Sequence, residues 1–116
     1  MFASVGCAAC HTPSMPGPGS PTAAQKPVPL YSDLLLHDMG PALADGFLQG
    51  QATGSEFRTM PLWRVSERQH FLHDGRASTI RDAIVQHGGQ ASGAVRAFLA
   101  LGSAEQQALL EFLGCI

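Results

Sequence analysis

The run Cys7-Ala8-Ala9-Cys10-His11 decides how the rest of the chain is read. Two cysteines three positions apart, with histidine directly after the second, form the CxxCH pattern of c-type haem attachment. The two thiols can bond to the two vinyl groups of one haem, and the adjacent imidazole can hold the iron from one side. The group on the opposite face then sets much of the redox potential. Competing uses of the cysteines find less support. A structural zinc site needs four ligands, and only Cys115 remains, far along the chain, with no second CxxC or HxxxH pair. A thioredoxin-type dithiol sits beside a βαβ pattern, and no strands of that kind are read here. Cys115 is read as a bystander.

Composition bounds the rest. The 116 residues make one small domain, and 45% hydrophobic content is ordinary for a soluble fold. So short a chain buries a modest core, to which a covalent porphyrin would add a large apolar plate. The formal charge of -2, with no basic run, argues against nucleic acid. No apolar stretch approaches the roughly 20 residues that cross a bilayer. Residues 1–6 lack the charged start and apolar run of a signal peptide. Haem attachment to CxxCH normally takes place outside the cytoplasmic membrane, so a periplasmic or otherwise exported location is expected, with the export signal not in this chain.

The pattern predicts a short helix over 2–10 carrying the cysteines. Residues 12–29 read as loop, because Pro13, Pro16, Pro18, Pro21, Pro27 and Pro29 remove backbone donors and fix φ. The apolar run 30–40 is too short for periodicity to decide between a helical turn and an extended piece. Residues 41–60 read as irregular, with a helical turn at 42–48. Later signals are clearer. Ser78 or Thr79 caps a helix running to about His87, where Gly88-Gly89 stop it. Ser92 or Gly93 opens the next, with Val95, Phe98, Leu99 and Leu101 as its apolar face. Ser103 with Gln106 reads as a capping box for a last helix to about Leu113, with Leu109, Leu110, Phe112 and Leu113 as core. Short helices joined by long loops give an all-α, loop-rich expectation.

Six side chains are candidates for the second axial position: His37, Met39, Met60, His70, His73 and His87. Met60-Pro61 stands at about the distance from CxxCH at which small cytochromes c often present methionine; as an ordinary residue it would fill a core gap. His87 ends a helix, where a histidine is also favoured by the macrodipole alone. Local sequence does not separate them.

Five strings occur in order: 31–40 (Tyr31-Ser32-Asp33-Leu34-Leu35-Leu36-His37-Asp38-Met39-Gly40), 57–63 (Phe57-Arg58-Thr59-Met60-Pro61-Leu62-Trp63), 72–77 (Leu72-His73-Asp74-Gly75-Arg76-Ala77), 79–84, and His87-Gly88-Gly89. Each is weak by itself. Together they resemble the C-terminal haem domain of the di-haem oxidoreductases, a family also described as thiol oxidoreductases and related to the bacterial di-haem cytochrome c peroxidases. The resemblance covers nearly the whole chain. It implies a class I cytochrome c-like helical fold around one covalent haem c, with 1–116 as a single cytochrome c domain, the C-terminal part of a longer di-haem protein. In the peroxidases the second axial ligand is a methionine one short helix beyond the His-Asp/Asn-Gly motif; His87 stands at that place here, and the related tryptophylquinone-forming enzyme supplies tyrosine there. The resemblance therefore ranks His87 ahead of Met60, which departs from an expected proline. It also implies that His73 sits near the haem edge. His37-Asp38 and Arg58 are similar candidates, Arg58 as a partner for a haem propionate, and Trp63 is a candidate to pack on the haem.

These implications make the chain an electron carrier, with His11 proximal, His87 distal and no catalytic residue assigned. Bis-histidine ligation should give a lower potential than histidine–methionine. Redox donor and acceptor proteins or a second haem domain are the expected partners. Two alternatives stay open. The chain is part of a di-haem peroxidase or thiol oxidoreductase whose activity needs a further, N-terminal haem domain, or it is a zinc module built on Cys7, Cys10 and His11. A haem with both axial positions filled performs no peroxide chemistry, so the enzymatic alternative requires an open or displaceable iron site. No carboxylate cluster supports, from sequence, the calcium that the peroxidases hold between their haem domains.

Overall fold

Thr79 starts the first helix. In the computed structural model, which describes residues 1–19 and 26–116, its hydroxyl accepts the Asp82 N–H at 3.0 Å. One of the amides that open a helix without a partner is thereby satisfied, and α1 runs Ile80–Gln86. Thr79→Ala is expected to cost about 1 kcal/mol, read as a lower urea midpoint at unchanged slope. A 3₁₀ turn at Gly89–Ala91 leads into α2, Ser92–Ala100, and α3 follows at Ser103–Gly114.

The α3 cap lies one residue earlier than predicted. Gly102 is the N-cap, and the Glu105 carboxylate accepts its N–H at 3.0 Å. The predicted partner Gln106 donates its side-chain amide to the Leu101 carbonyl at 3.0 Å instead.

Val5, Phe98 and Leu109 form the buried centre, with Phe2, Cys7, Ile84, Ala97 and Leu101 packed around it. The N-terminal segment is thus tied to all three helices. It is not the predicted helix over 2–10. Gly6 takes φ +96, which breaks the helical path, and only a 3₁₀ turn at Cys7–Ala9 follows. Gly6 also lies close to α2, where an added Cβ would meet the Ala94 Cβ at 3.5 Å. On α2 Phe98 is buried and Leu99 is exposed, so the predicted apolar face is narrower than the sequence implied. On α3 Leu109 and Leu113 are buried, whereas Phe112 sits at the edge, its ring 5.4 Å from Phe2 and 6.1 Å from Tyr31.

The all-α expectation, and with it the class I cytochrome c-like helical architecture, is overturned. The described residues hold three short helices and two antiparallel two-stranded sheets, a mixed helix-and-sheet fold. In the first sheet β1 (Met15–Pro16) pairs with β2 (Pro27–Val28), inside the stretch read as loop. Part of that stretch, 20–25 with Pro21, lies outside the described residues. In the second, β3 (Leu36–Asp38) pairs with β4 (Glu56–Arg58), placing Leu36 opposite Arg58, His37 opposite Phe57 and Asp38 opposite Glu56. The helical turn predicted at 42–48 is absent; residues 41–43 form a turn, and the chain then runs irregularly into β4. Strands of two or three residues give hydrophobic alternation too little length to register. Their pairing is decided by long-range contact.

The β3–β4 ladder extends at both ends through Met39 N–H to Ser55 at 2.8 Å and Thr59 N–H to Leu35 at 2.9 Å. Alternation along β3 exposes Leu36 and Asp38 and turns His37 inward. That sheet brings residue 37 next to the segment that follows α1.

Candidate functional site

The attachment segment is held by backbone pairing with the stretch 31–33. Ser32 N–H donates to Thr12 at 3.0 Å and Asp33 N–H to Cys10 at 2.9 Å. Ser32 is fully buried and donates its hydroxyl to the Thr59 carbonyl at 2.8 Å. Tyr31 sits at φ 51, a left-handed conformation costing a non-glycine residue roughly 1–2 kcal/mol. In that conformation its carbonyl lies 3.0 Å from His11 Nδ1. With the proton on Nδ1, the His11 ring orientation is fixed and Nε2 carries the free lone pair. This is the usual second-layer arrangement of a metal-bound histidine.

His87 repeats the arrangement from the other side of the chain. It is the C-cap of α1, its N–H donating to Ile84 at 3.2 Å, and its Nδ1 lies 2.6 Å from the Ala83 carbonyl. Burial pushes the His11 imidazole below its ordinary range; the Tyr31 hydrogen bond opposes this, and the neighbouring His87 adds to it. Burial likewise lowers His87, against the pull of the Ala83 carbonyl. Both rings are therefore neutral at neutral pH. Neither Nε2 has a hydrogen-bond partner among the described residues.

Cys7 and Cys10 are half-buried and not disulfide-bonded. Burial raises both thiols, reinforced at Cys7 by Cys10 and at Cys10 by Asp33. Two free thiols beside an imidazole that burial keeps neutral, with a second buried imidazole in the same neighbourhood, make a donor set that fits a covalently attached haem.

The backbone after His87 is pressed against the end of β3. A Cβ on Gly88 would lie 2.6 Å from the Met39 carbonyl oxygen, and one on Gly89, which has φ +52, only 2.2 Å from that of Asp38. The Gly88-Gly89 pair thus does more than end a helix: it permits backbone-to-backbone contact.

His37 is the best connected of the remaining histidines. Its Nε2 is 2.8 Å from Asp33 Oδ2 and its Nδ1 3.0 Å from Gln90 Oε1. Desolvation opposes the Asp33 charge, but hydrogen bonds from the Leu35 N–H, His37 and Thr59 outweigh it and hold the carboxyl below its usual range. Cys10, Asp33 and His37 offer ligand atoms within 4.8 Å of one another. Asp38, named with His37 from sequence, instead accepts the Gly40 N–H at 2.8 Å.

The other candidates have different surroundings. His73 stacks on Phe57 with ring centres 3.9 Å apart and approaches Asp45 at 3.9 Å. Trp63 is half-exposed, and its indole N–H donates to the Pro29 carbonyl. Arg58 is exposed on β4. Met60 is 53% exposed, so it fills no core gap. Tyr31, Asp33 and Gln90 were not singled out from sequence. Tyr31 acts through its carbonyl, which no side-chain pattern advertises, and Gln90 meets His37 across 53 positions. Only the Asp33–His37 spacing of four left a local trace.

Among the described residues no helix is long and apolar enough to cross a membrane. No curated protein and no solved structure matches the chain. A family described as "di-haem oxidoreductase, putative peroxidase" matches residues 1–116, the whole chain, and this protein belongs to that di-haem oxidoreductase family.

Proposed function

We propose that this chain is a one-haem electron-transfer unit of a di-haem oxidoreductase. Cys7 and Cys10 attach the haem through thioethers, His11 is the proximal ligand and His87 the distal one. The single observation that carries this reading is the matched state of the two histidines: both are neutral, both have Nδ1 at a backbone carbonyl, and both have an Nε2 without a hydrogen-bond partner among the described residues. When bound, haem supplies a one-electron iron couple whose potential is tuned by its axial ligands and its burial. The residues' tasks are positional. Tyr31 holds the proton on the His11 Nδ1, Ala83 does the same at His87, and the core around Phe98 anchors the attachment segment. Arg58 is proposed to pair with a propionate, and Trp63 and His73 to lie along the haem edge.

The chain has one CxxCH motif and the family is described as di-haem. On this reading 1–116 is a single haem domain, the C-terminal part of a longer di-haem protein, and the second haem is its redox partner alongside external donors or acceptors. Thioether formation outside the cytoplasmic membrane makes the periplasm, or another exported location, the proposed compartment. The peroxidase description favours a second reading, in which this unit relays electrons to a catalytic haem elsewhere in the protein.

Covalent attachment is the direct test. Chain matured in a periplasm competent for cytochrome c assembly should retain haem peroxidase stain on a denaturing gel. Cys7→Ala with Cys10→Ala should abolish the stain. An unstained wild-type band carrying zinc would overturn the proposal.

A further inference from the structure

The two imidazoles proposed to face one haem come from segments 76 positions apart in the chain, and a redox centre works only if their relative position is fixed. The structure contains a hydrogen-bonded path between those segments. It starts at the Cys10 carbonyl, which accepts the Asp33 N–H at 2.9 Å. From the Asp33 carboxylate it passes to His37 at 2.8 Å and from His37 to the Gln90 side chain at 3.0 Å. Gln90 lies three residues beyond His87, in the 3₁₀ turn Gly89–Ala91.

The central pair is well protected. The His37 and Asp33 side chains are only 19% and 15% exposed, so their charge-assisted bond is worth more than a surface ion pair. Both ring nitrogens of His37 are engaged. A neutral ring donating from Nε2 to Asp33 presents a bare Nδ1, which the Gln90 amide meets by turning its NH₂ towards it; an imidazolium donates to both oxygens. The link holds in either state. It is also the only side-chain link across this seam among the described residues. The rest is the glycine contact of Gly88-Gly89 with Asp38-Met39-Gly40, which sets how near the segments come but supplies no directional bond.

We propose that His37 is a positioning residue for the distal ligand, tying the His87 turn to the attachment segment through Asp33 and Gln90. The inference rests on the proposed His11 and His87 ligation. A separate metal centre at Cys10, Asp33 and His37 is the weaker use of the same atoms, because the Cys10 sulfur is committed to a thioether and the His37 Nε2 to Asp33.

The test uses the haem-loaded chain. Its readout is the rate at which the reduced protein binds carbon monoxide, which is limited by departure of the distal ligand. His37→Leu removes both bonds of the ring, and Gln90→Leu removes only the outer one. Losing one such bond is expected to raise the binding rate about tenfold, with His37→Leu exceeding Gln90→Leu and the thioethers retained. Gln90 is exposed, so its variant carries the test even where His37→Leu fails to mature. Glu105→Ala removes a cap of similar worth on α3 and should leave the rate unchanged, which separates positioning from general loss of stability. Wild-type rates in both relay variants, with fast binding in His87→Ala, would overturn the proposal and leave the ligand assignment standing. Wild-type behaviour in His87→Ala as well would overturn the ligand assignment itself, and the proposal with it.

Discussion

His87→Ala is expected to convert the haem-loaded chain from six-coordinate, low-spin iron to a high-spin spectrum. Attachment should survive, because it depends on Cys7, Cys10 and His11, which lie in another part of the chain. The fold should survive as well. The C-cap bond of α1 runs from the residue 87 backbone N–H to Ile84 and does not involve the side chain. What is lost is the bond from Nδ1 to Ala83, worth about 1 kcal/mol, and a second imidazole, besides His11, that burial keeps neutral. Alanine offers no donor atom in its place. Met60→Leu is the paired control. Met60 is 53% exposed, and its replacement should leave the low-spin bands and the potential as they are. A high-spin spectrum in Met60→Leu and an unchanged one in His87→Ala would exchange the two assignments. It would also require a higher potential than bis-histidine ligation gives.

Gly89→Ala is expected to carry the largest stability cost of any glycine-to-alanine change among the described residues. Two penalties coincide. The residue has φ +52, which disfavours a Cβ, and the added carbon would sit 2.2 Å from the Asp38 carbonyl oxygen and 2.6 Å from the Gly40 nitrogen. All of these neighbours are backbone atoms in the turn that ends β3, so no side-chain rotation relieves the clash. The turn after His87 must separate from the sheet. The combined cost is roughly 2–4 kcal/mol, which should lower the thermal midpoint by about 10 °C or more. Because the displaced backbone carries His87, the low-spin spectrum should weaken in the same variant. Gly93→Ala is the matched comparison: an added Cβ there meets nothing within 4 Å, and an alanine inside α2 should be neutral or stabilising. Equal midpoints for the two variants would show that the glycine pair only ends a helix.

The legible parts of the sequence were those whose chemistry is local. CxxCH is five consecutive residues, and its meaning needs no partner elsewhere. α1 was readable because its cap, apolar positions and stop lie within a dozen residues, and α3 because Leu109 and Leu113 repeat at helical spacing; its cap was misplaced by one, where glycine supplied the N-cap backbone and Glu105 the returning carboxylate. The sheets were not readable. β1 and β2 are two residues each and include Pro16 and Pro27, residues that argue against a strand when seen alone. β3 and β4 are three residues each and find one another across 17 intervening positions.

By itself the sequence determined the CxxCH motif and the helix that ends at His87, because each is written in residues a few positions apart along one stretch, and it carried the family through five such strings kept in order along the chain. Only the tertiary structure decided that the fold mixes helix and sheet, that a strained Tyr31 offers its carbonyl to His11, and that Asp33, His37 and Gln90 join the two histidine-bearing segments. Those features depend on hydrogen bonds between distant backbone and side-chain groups. Hydrophobic burial around Val5, Phe98 and Leu109 joins the N-terminal segment to the helices in the same folded state.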